Sequence, residues 1–234
     1  MNQITAETTV GEIVRSRPAR ARIFETLGID YCCGGKRSLA EACRAKNLET
    51  ATVVAMLSAL DAEAPADNSP DADALSLSAL CDHIEQVHHE YLREELPRLD
   101  FMTRKVAAVH GDHEPRLREI RQVFETFNAA MTSHTQEEEA QRFPAIRRLE
   151  SANGDKAAHA AALKNEIGKL EAEHENAGAA LARFKQLTDD YSPPEWACNT
   201  FRALYDGLEK LEKQTHRHVH QENNVLFPRA LSLP

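Results

Sequence analysis

Two segments of the chain repeat one pattern, and this repeat constrains the fold more than any other feature. Each has a His, a Glu four residues later and then a Phe-Pro pair: His134, Glu138 and Phe143-Pro144, and His218, Glu222 and Phe227-Pro228. Residues four apart lie on one face of an α-helix, one turn from each other. Each pair can therefore place two side chains in one metal site. The repeat predicts two helices that carry matching halves of that site.

Apolar side chains recur at a spacing of three and four residues on three long segments, which predicts helices with one buried face. The stripes are Phe124, Phe127, Met131, His134 and Glu138; Leu163, Ile167, Leu170, His174, Ala177, Leu181 and Phe184; and Phe201, Leu204, Leu208, Leu211, Thr215, His218, Glu222 and Val225. Their His and Glu residues stand where Leu is expected. A buried carboxylate without a partner is costly. Two such carboxylates beside three imidazoles therefore predict bound cations.

Four long helical patterns follow one another, over about residues 75–109, 115–150, 155–187 and 192–227. The fourth is expected to begin at Ser192-Pro193-Pro194-Glu195, which combines an N-cap, a first-turn Pro and a capping-box Glu. Short polar loops join the four patterns. We therefore predict an all-α protein with an antiparallel four-helix bundle over residues 75–234.

The first of these helices must supply the remaining side of the site, and its candidates are His83, His88 and His89. Apolar residues upstream favour the phase of His88 and those downstream favour His89, so periodicity leaves both open. The upstream residues are Leu77 and Ile84, and the downstream residues are Leu92, Leu96 and Leu99. The remaining histidines are expected to be solvated: His110 and His113 in a loop, His159 near a helix start, and His216 and His220 facing away from His218.

Residues 1–63 predict a small helical domain. Pro18 can open a helix that Gly28 ends, and Ser38 with Glu41 forms a capping box for the next helix. A third helix is expected over about residues 52–60. Residues 64–74 are rich in Asp, Ala and Pro and lack apolar periodicity, which predicts a linker to the bundle.

Charge and cysteine content exclude several classes of protein. A net charge of -9 argues against non-specific nucleic-acid binding, which needs a basic face, and against binding to an anionic membrane surface. No apolar run reaches transmembrane length, and the N-terminus lacks the features of a secretory signal. Five cysteines, two of them adjacent, do not suggest a disulfide framework. We therefore expect the protein in the reducing cytoplasm.

The predicted ligand set indicates the kind of metal. Four imidazoles and two carboxylates exceed the needs of one tetrahedral zinc ion. They fit two octahedral ions that share bridging carboxylates, and nitrogen and oxygen ligands without thiolate suit iron or manganese in a bundle core. Each ion keeps open positions for water, oxide or a small diatomic molecule.

At this point the sequence resembles a known family. Residues 75–230 look like a hemerythrin-like domain, and the run Asp-Tyr-Cys-Cys-Gly-Gly-Lys at residues 30–36 resembles the signature of the ScdA N-terminal domain. Glu173-His174 and the stretch from Glu222 to Ala230 are specific to that pattern. Over nearly the whole chain, the two parts together resemble the YtfE/ScdA/DnrN/NorA family of iron–sulfur cluster repair di-iron proteins.

The resemblance implies a ligand set and a cofactor. In this family the first ligand precedes a Leu-Pro pair by seven residues, so Leu96-Pro97 selects His89 over His88. The implied metal ligands are His89, His134, Glu138, His174, His218 and Glu222. The implied cofactor is a pair of non-haem iron ions with oxo and carboxylate bridges. The third helix lacks the second His of oxygen-carrying hemerythrins, which argues against simple oxygen transport.

The resemblance also implies a function, the repair of iron–sulfur clusters damaged by nitrosative or oxidative stress. The implied partners are damaged iron–sulfur proteins, with nitric oxide or dioxygen as small ligands and neither nucleic acid nor membrane. Repair could proceed by iron donation or by nitric oxide reduction, an enzymatic activity in which the di-iron centre holds two reactants together. The alternative is a sensor or scavenger of a diatomic gas. A homodimer is compatible with the sequence.

Cys32 and Cys33 are expected to form a redox or iron-handling pair. Adjacent cysteines close a strained ring, so a stable disulfide between them is not expected. Lys36, Arg37 and the following helix N-terminus could lower a thiolate pKa. The competing interpretation is a tight turn with one buried Cys. The other cysteines lie in helical patterns and are expected at core or boundary positions: Cys43, Cys81 and Cys198.

Overall fold

A computed structural model describes residues 4–63, 72, 74–151 and 156–232. These residues are predominantly helical, and their one β pairing is an isolated antiparallel bridge between Thr9 and Ser38. The all-α prediction is therefore confirmed. Within the same ranges no helix combines the length and apolar character needed to cross a membrane. The expected linker at 64–74 lies outside the described residues except for positions 72 and 74, and so does the side chain of His159.

Capping residues set the helices of the N-terminal part. These are α1 (Val10–Ser16), α2 (Ala21–Leu27), α3 (Leu39–Ala45) and α4 (Thr50–Glu63), with a 3-10 turn at Pro18–Arg20 before α2. The predicted capping box of Ser38 and Glu41 begins α3. A second box, of Thr9 and Glu12, begins α1, a helix not predicted above. Gly28 ends α2 with a φ of 64°, the left-handed conformation that Gly adopts without steric cost.

Four long helices form the rest of the described chain. The first contains α5 (Leu77–Ile84) and α6 (Glu90–His110), the second α7 (Arg116–Glu137) and α8 (Phe143–Ser151), the third α9 (Lys156–Leu187), and the fourth α10 (Asn199–Gln221) and α11 (Phe227–Leu231). Helix α6 packs against α7 and α10, and α9 also packs against α7 and α10, so the four long helices close a ring. Short connections make successive helices antiparallel, which gives the predicted helical bundle.

Two apolar clusters fill the ring. One gathers Leu92 to Val106 with the facing stripes of the other helices, and includes Phe124, Phe184 and Leu208. The second lies toward the other end and includes Ile84, Phe143 and Leu226. On each long helix the predicted ligands fall between a residue of one cluster and a residue of the other. The predicted ligands therefore form a polar layer that lies between the two apolar clusters.

Three of the long helices contain a π-helical turn, at Glu85–His89, Glu138–Arg142 and Glu222–Leu226. In the second and third of these turns, a Pro explains why the π turn forms where it does. Each Pro stands two residues after the last residue of the turn. Pro144 and Pro228 have no backbone N–H to donate, and each ring blocks the carbonyl four residues back. The preceding Phe N–H instead donates to the Glu carbonyl five residues back, in both turns. Such turns are frequent at functional sites, and here each carries a predicted ligand.

The fourth long helix begins later than predicted. Its first residue is Asn199 and its N-cap is Cys198, whereas the sequence pattern places the start at Ser192. The residue before a Pro avoids the α-helical backbone conformation and favours an extended one. Both Ser192 and Pro193 stand before a Pro. The segment forms a turn instead, in which Ala197 N–H donates to the Pro194 carbonyl at 3.0 Å. The pair of prolines therefore delays the helix rather than opening it.

Candidate metal centre

The polar layer of the bundle brings all six predicted ligands together. They form two groups, His89, Glu138, His218 and Glu222, and His134, Glu138, His174 and Glu222, with the ligand atoms of each group within 4.8 Å of one another. All six side chains are buried. Glu138 and Glu222 belong to both groups. The layer thus contains two neighbouring groups of candidate metal ligands that share both carboxylates.

Each shared carboxylate contacts two imidazoles, one from each group. Glu222 Oε1 lies 3.0 Å from His218 Nε2, and its Oε2 lies 3.1 Å from His174 Nε2. Glu138 Oε2 lies 3.4 Å from Nε2 of both His89 and His134. Neither oxygen of Glu138 has a hydrogen-bond partner within the described residues. A buried carboxylate without partners is costly unless a cation compensates it.

Hydrogen bonds on the far side of His89 and His134 fix the orientation of these two imidazoles. Nδ1 of His89 lies 2.7 Å from Glu139 Oε1, and Nδ1 of His134 lies 2.6 Å from Glu173 Oε2. An ionised carboxylate can only accept, so we assign the proton of each ring to Nδ1. This leaves the Nε2 lone pair free, which is the form that binds metal.

The Nε2 atoms of imidazoles on neighbouring helices also face one another. His89 Nε2 and His218 Nε2 are 3.3 Å apart, and His134 Nε2 and His174 Nε2 are 3.1 Å apart. Once the outer nitrogens carry the protons, the inner lone pairs of such rings repel each other. A cation placed between them converts this repulsion into coordination. The arrangement fits a bound metal better than a hydrogen-bonded core.

The electrostatics of the layer point the same way. Burial by itself lowers the pKa of His174, but the hydrogen bond and charge of Glu222 outweigh it and raise this pKa to about 9. Burial likewise raises the pKa of Glu222, but the positive charges of His218 and His174 hold it well below its usual range. The buried carboxylates therefore attract positive charge into the layer, a need that a metal ion meets without protons.

His88 and His89 are both buried but occupy different environments. His89 points into the first group of ligands, whereas His88 is outside both groups and stacks on the His218 ring at a centroid distance of 5.3 Å. The π turn at Glu85–His89 explains why both positions fit the apolar pattern. It adds one residue to the helix, so His88 is in phase with the residues before the turn and His89 with those after it. Burial lowers the pKa of His88 to about 3, so it stays neutral.

We expect His89→Ala to lose bound iron and His88→Ala to retain it. His89 Nε2 faces the Glu138 carboxylate and the His218 ring, while neither ring nitrogen of His88 reaches a ligand group. Metal analysis of the two anaerobically purified variants makes the comparison, and each is a buried His on the same turn. Loss of iron from His88→Ala alone would overturn the assignment.

Sequence reasoning missed the residues that support the ligands from outside. Glu139 accepts from His89 and also from Arg93 Nη1 at 2.8 Å. Glu173 accepts from His134, and Asn223 Oδ1 lies 2.9 Å from His174 Nδ1. The only sequence signal is adjacency, because Glu139, Glu173 and Asn223 each stand next to a ligand in the chain. Such partners orient imidazoles and commonly matter about tenfold or more for metal affinity.

The N-terminal part packs on the π turn of the fourth helix. Asn224 Nδ2 donates to the Cys32 carbonyl at 2.9 Å, and His220 Nδ1 donates to the Tyr31 carbonyl at 3.2 Å. The contact is close, because a Cβ added to Gly11 or Gly35 would overlap the Asn224 side chain. Asn223 and Asn224 therefore face opposite ways, one toward a metal ligand and the other toward the N-terminal part.

For two of the histidines that were expected to be solvated, His216 and His220, the expectation is wrong. His220 is buried and His216 is half-buried, and their rings pack edge-on against Tyr31 at centroid distances of 5.5 and 6.2 Å. Both lie outside the ligand groups, as expected. They face away from His218, but the N-terminal part covers that side of the helix. The sequence pattern cannot show this cover, since it arises between distant segments.

The cysteine pair lies beside the metal centre. All five cysteines are free thiols; Cys32 is buried and Cys33 half-buried, with their sulfur atoms 4.0 Å apart. A hydrogen bond from Cys32 lowers the pKa of Cys33 and raises that of Cys32 well above its usual value. Lys36, expected to lower a thiolate pKa, instead pairs with Glu171 at 2.8 Å. Cys198, expected in the core or at its boundary, is exposed at the N-cap of α10.

A largely apolar cavity reaches the centre from the other side. It has a volume of about 320 Å³, and its lining includes Val123, Phe127, Met131 and Ala177 with the ligand His134. An apolar cavity of this kind holds small uncharged molecules better than ions. The cavity reaches the second ligand group at His134.

The chain is similar to proteins of known name over nearly its whole length. Residues 82–230 match the hemerythrin HHE cation-binding domain, and residues 6–61 match ScdA_N, a domain of unknown function (DUF542). The chain is 34% identical over 228 residues to the iron–sulfur cluster repair protein ScdA of Staphylococcus epidermidis, covering 97% of this chain and 99% of that protein. It is 37% identical over 223 residues to the iron–sulfur cluster repair protein YtfE of Yersinia pseudotuberculosis, covering 95% and 96%. The iron–sulfur cluster repair protein YtfE of an Enterobacter species is 36% identical, and the alignment again covers 95% of this chain and 96% of that protein.

Proposed function

We infer the function from the family: this chain belongs to the ScdA/YtfE family of iron–sulfur cluster repair proteins, and we propose that it restores iron–sulfur clusters damaged by nitrosative or oxidative stress. The proposed partners are the damaged iron–sulfur proteins. The proposed location is the reducing cytoplasm, where the thiols of Cys32 and Cys33 persist.

The single observation that carries the proposal is the pair of ligand groups that share both carboxylates. We propose that they hold two iron ions, one at His89 and His218 and the other at His134 and His174, with Glu138 and Glu222 shared as bridges. Iron suits the donor set of imidazole and carboxylate in a bundle core. When bound, it supplies redox chemistry and open positions for small ligands. The chain supplies the orientation, through the partners of each Nδ1, and the exclusion of bulk water.

Iron donation is the first form of repair that this arrangement supports. Thiolate ligands select iron–sulfur clusters, whereas this centre offers iron only imidazole and carboxylate ligands, so we propose that its ferrous iron can pass to a thiolate-bound cluster. The N-terminal part places Cys32 and Cys33 at a cavity that Asn223 also lines, and we propose that they act as a redox or iron-handling pair. Iron leaving the centre toward a client would pass residues able to bind it.

Nitric oxide reduction is the second form, and the apolar cavity at His134 favours it. The cavity lets an uncharged gas approach one iron position while the cysteine pair lies on the other side. Two bound reactants held side by side react without a bimolecular encounter, which is the physical benefit of a two-metal site. A sensor of a diatomic gas would use the same cavity but show saturable binding without turnover.

We further propose that residues 1–63 and 75–234 are separate domains. The N-terminal part has its own apolar cluster, which includes Val10, Phe24, Leu39 and Leu57. The two clusters of the bundle contain none of its residues. The contacts between the parts include hydrogen bonds of Asn224 and His220 and the ion pairs Lys36–Glu171 and Arg217–Glu25, so many of them are polar. Interfaces of this polar kind are typical between domains that fold independently.

Anaerobic loading with ⁵⁷Fe tests the proposal and separates its two forms. We expect about two irons per chain, and we expect the loaded protein to restore the activity of an iron–sulfur enzyme inactivated by nitric oxide. Donation predicts that the label enters the repaired cluster, whereas reduction predicts nitric oxide turnover with the label retained. Iron-free protein is the control. Equal recovery with loaded and iron-free protein would contradict the proposal.

A further inference from the structure

A second cluster of metal-binding side chains lies in the N-terminal part, at Asp30, Cys32 and Cys33. Cys32 Sγ lies 3.2 Å from Asp30 Oδ1 and 4.0 Å from Cys33 Sγ. The candidate ligand atoms of all three residues lie within 4.8 Å of one another. Two thiolates bound to one tetrahedral cation are ~3.8 Å apart, given metal–sulfur bonds of about 2.3 Å. The observed separation of the sulfur atoms is close to that value.

The backbone holds the third ligand in place. The Cys32 N–H donates to Asp30 Oδ1 at 3.0 Å, and the Gly34 N–H donates to Asp30 Oδ2 at 2.8 Å. Gly34 permits this approach, because a Cβ at that position would lie 3.0 Å from the carboxylate. The Asp30 carboxylate is therefore held against the thiols by a turn of five residues. The local backbone therefore keeps the three candidate ligands together without help from the bundle.

A cavity of about 200 Å³ joins this cluster to the bundle. Its lining includes both cysteines, Glu171, Glu175 and Asn223. Asn223 also holds His174, so one side chain separates the cavity from the first ligands of the metal centre. The Lys36 ammonium at the cavity pairs with Glu171 and so does not oppose a cation there. The surroundings are acidic, which favours the uptake of positive charge.

We propose that Asp30, Cys32 and Cys33 bind one thiophilic divalent cation, and that in the repair function proposed above this cation is ferrous iron outside the di-iron centre. Binding replaces the two thiol protons, which leave to solvent, and transfers no electron. Three protein ligands leave one position of a tetrahedral site open toward the cavity. Asp30 is exposed and Cys33 half-buried, so a client can approach the bound ion.

Cobalt(II) is the probe, added under anaerobic, reducing conditions to the full-length, iron-loaded protein. Cobalt bound by thiolates gives an intense charge-transfer band in the near ultraviolet, which cobalt bound by His and Glu alone does not give. We expect this band to saturate at about one cobalt per chain and to disappear in Cys33→Ser. Asp30→Asn should weaken cobalt binding by at least about tenfold. The matched control is Cys198→Ser, which removes an exposed thiol far from the cluster and should keep the band.

The iron content of each sample is measured in parallel, so the two proposals can fail separately. A wild-type protein that holds iron but shows no thiolate band would overturn the cysteine site alone. A band that survives in Cys33→Ser would also overturn it. A protein that shows the band but holds no iron would instead remove the di-iron proposal and leave the cysteine site standing.

Discussion

Glu222→Ala is expected to reduce bound iron from about two ions per chain to fewer than one. Glu222 is the residue whose two oxygens contact imidazoles of different groups, at 3.0 Å from His218 and 3.1 Å from His174. Its removal therefore takes a ligand from both metal positions at once. It also removes the carboxylate charge that compensates a cation in a buried layer. Glu138→Ala should have the same effect, because Glu138 also belongs to both groups.

Iron analysis and optical spectra of the anaerobically purified variants measure this effect. The matched control is Glu209→Ala, which removes a half-buried carboxylate from the same helix, where it pairs with Lys213. His216→Ala should also keep its iron, since His216 is outside both ligand groups. Circular dichroism separates iron loss from loss of the helices. Full iron content in Glu222→Ala would mean that the carboxylate is not a bridge.

The double variant Cys32→Ser, Cys33→Ser is expected to keep its iron but lose most of its ability to repair a client. The sulfur atoms lie outside both di-iron ligand groups, so the spectrum of the centre should not change. They are half or fully buried and line the cavity beside Asn223, which contacts the ligand His174. Serine keeps the size of the side chain but removes a thiolate that binds iron or carries electrons.

Repair is measured as recovered activity of an iron–sulfur enzyme damaged by nitric oxide, at equal iron content of wild type and variant. Cys198→Ser again serves as the control, because it removes a thiol without touching the cavity. Full repair by the double variant would make Cys32 and Cys33 structural residues of a tight turn. Loss of iron from it would mean that the N-terminal part contributes to the centre, and the division into two domains would be wrong.

The π turns show which parts of the site helical periodicity can predict and where it fails. Helical spacing predicted a buried face and placed His134, Glu138, His174, His218 and Glu222 on it, and the structure brings these residues into one layer. The same spacing gave conflicting answers at His88 and His89. The conflict itself marks the π turn, because an inserted residue moves the buried face by one position. A change of phase within one helix is thus a sequence signal for such a turn.

The sequence was sufficient to predict helix starts and ends that depend only on residues adjacent in the chain. The structure has the predicted capping box at Ser38 and Glu41 and the predicted helix end at Gly28. Both features involve residues within one turn of backbone, so the sequence can predict them. The start of the fourth helix was misplaced for an equally local reason. Consecutive prolines favour an extended backbone before them, and this outweighs the helix-starting signals at Ser192.

By itself the sequence determined the all-α class, the helical stripes and the residue types of the centre, because periodicity and ligand chemistry act along a single helix. Only the tertiary structure decided what surrounds those residues. It placed Glu139 and Glu173 behind the imidazoles, Asn224 against the N-terminal part, and the cysteine pair beside the metal centre. These contacts join segments far apart in the chain. Their geometry depends on how the helices pack, which no local pattern encodes.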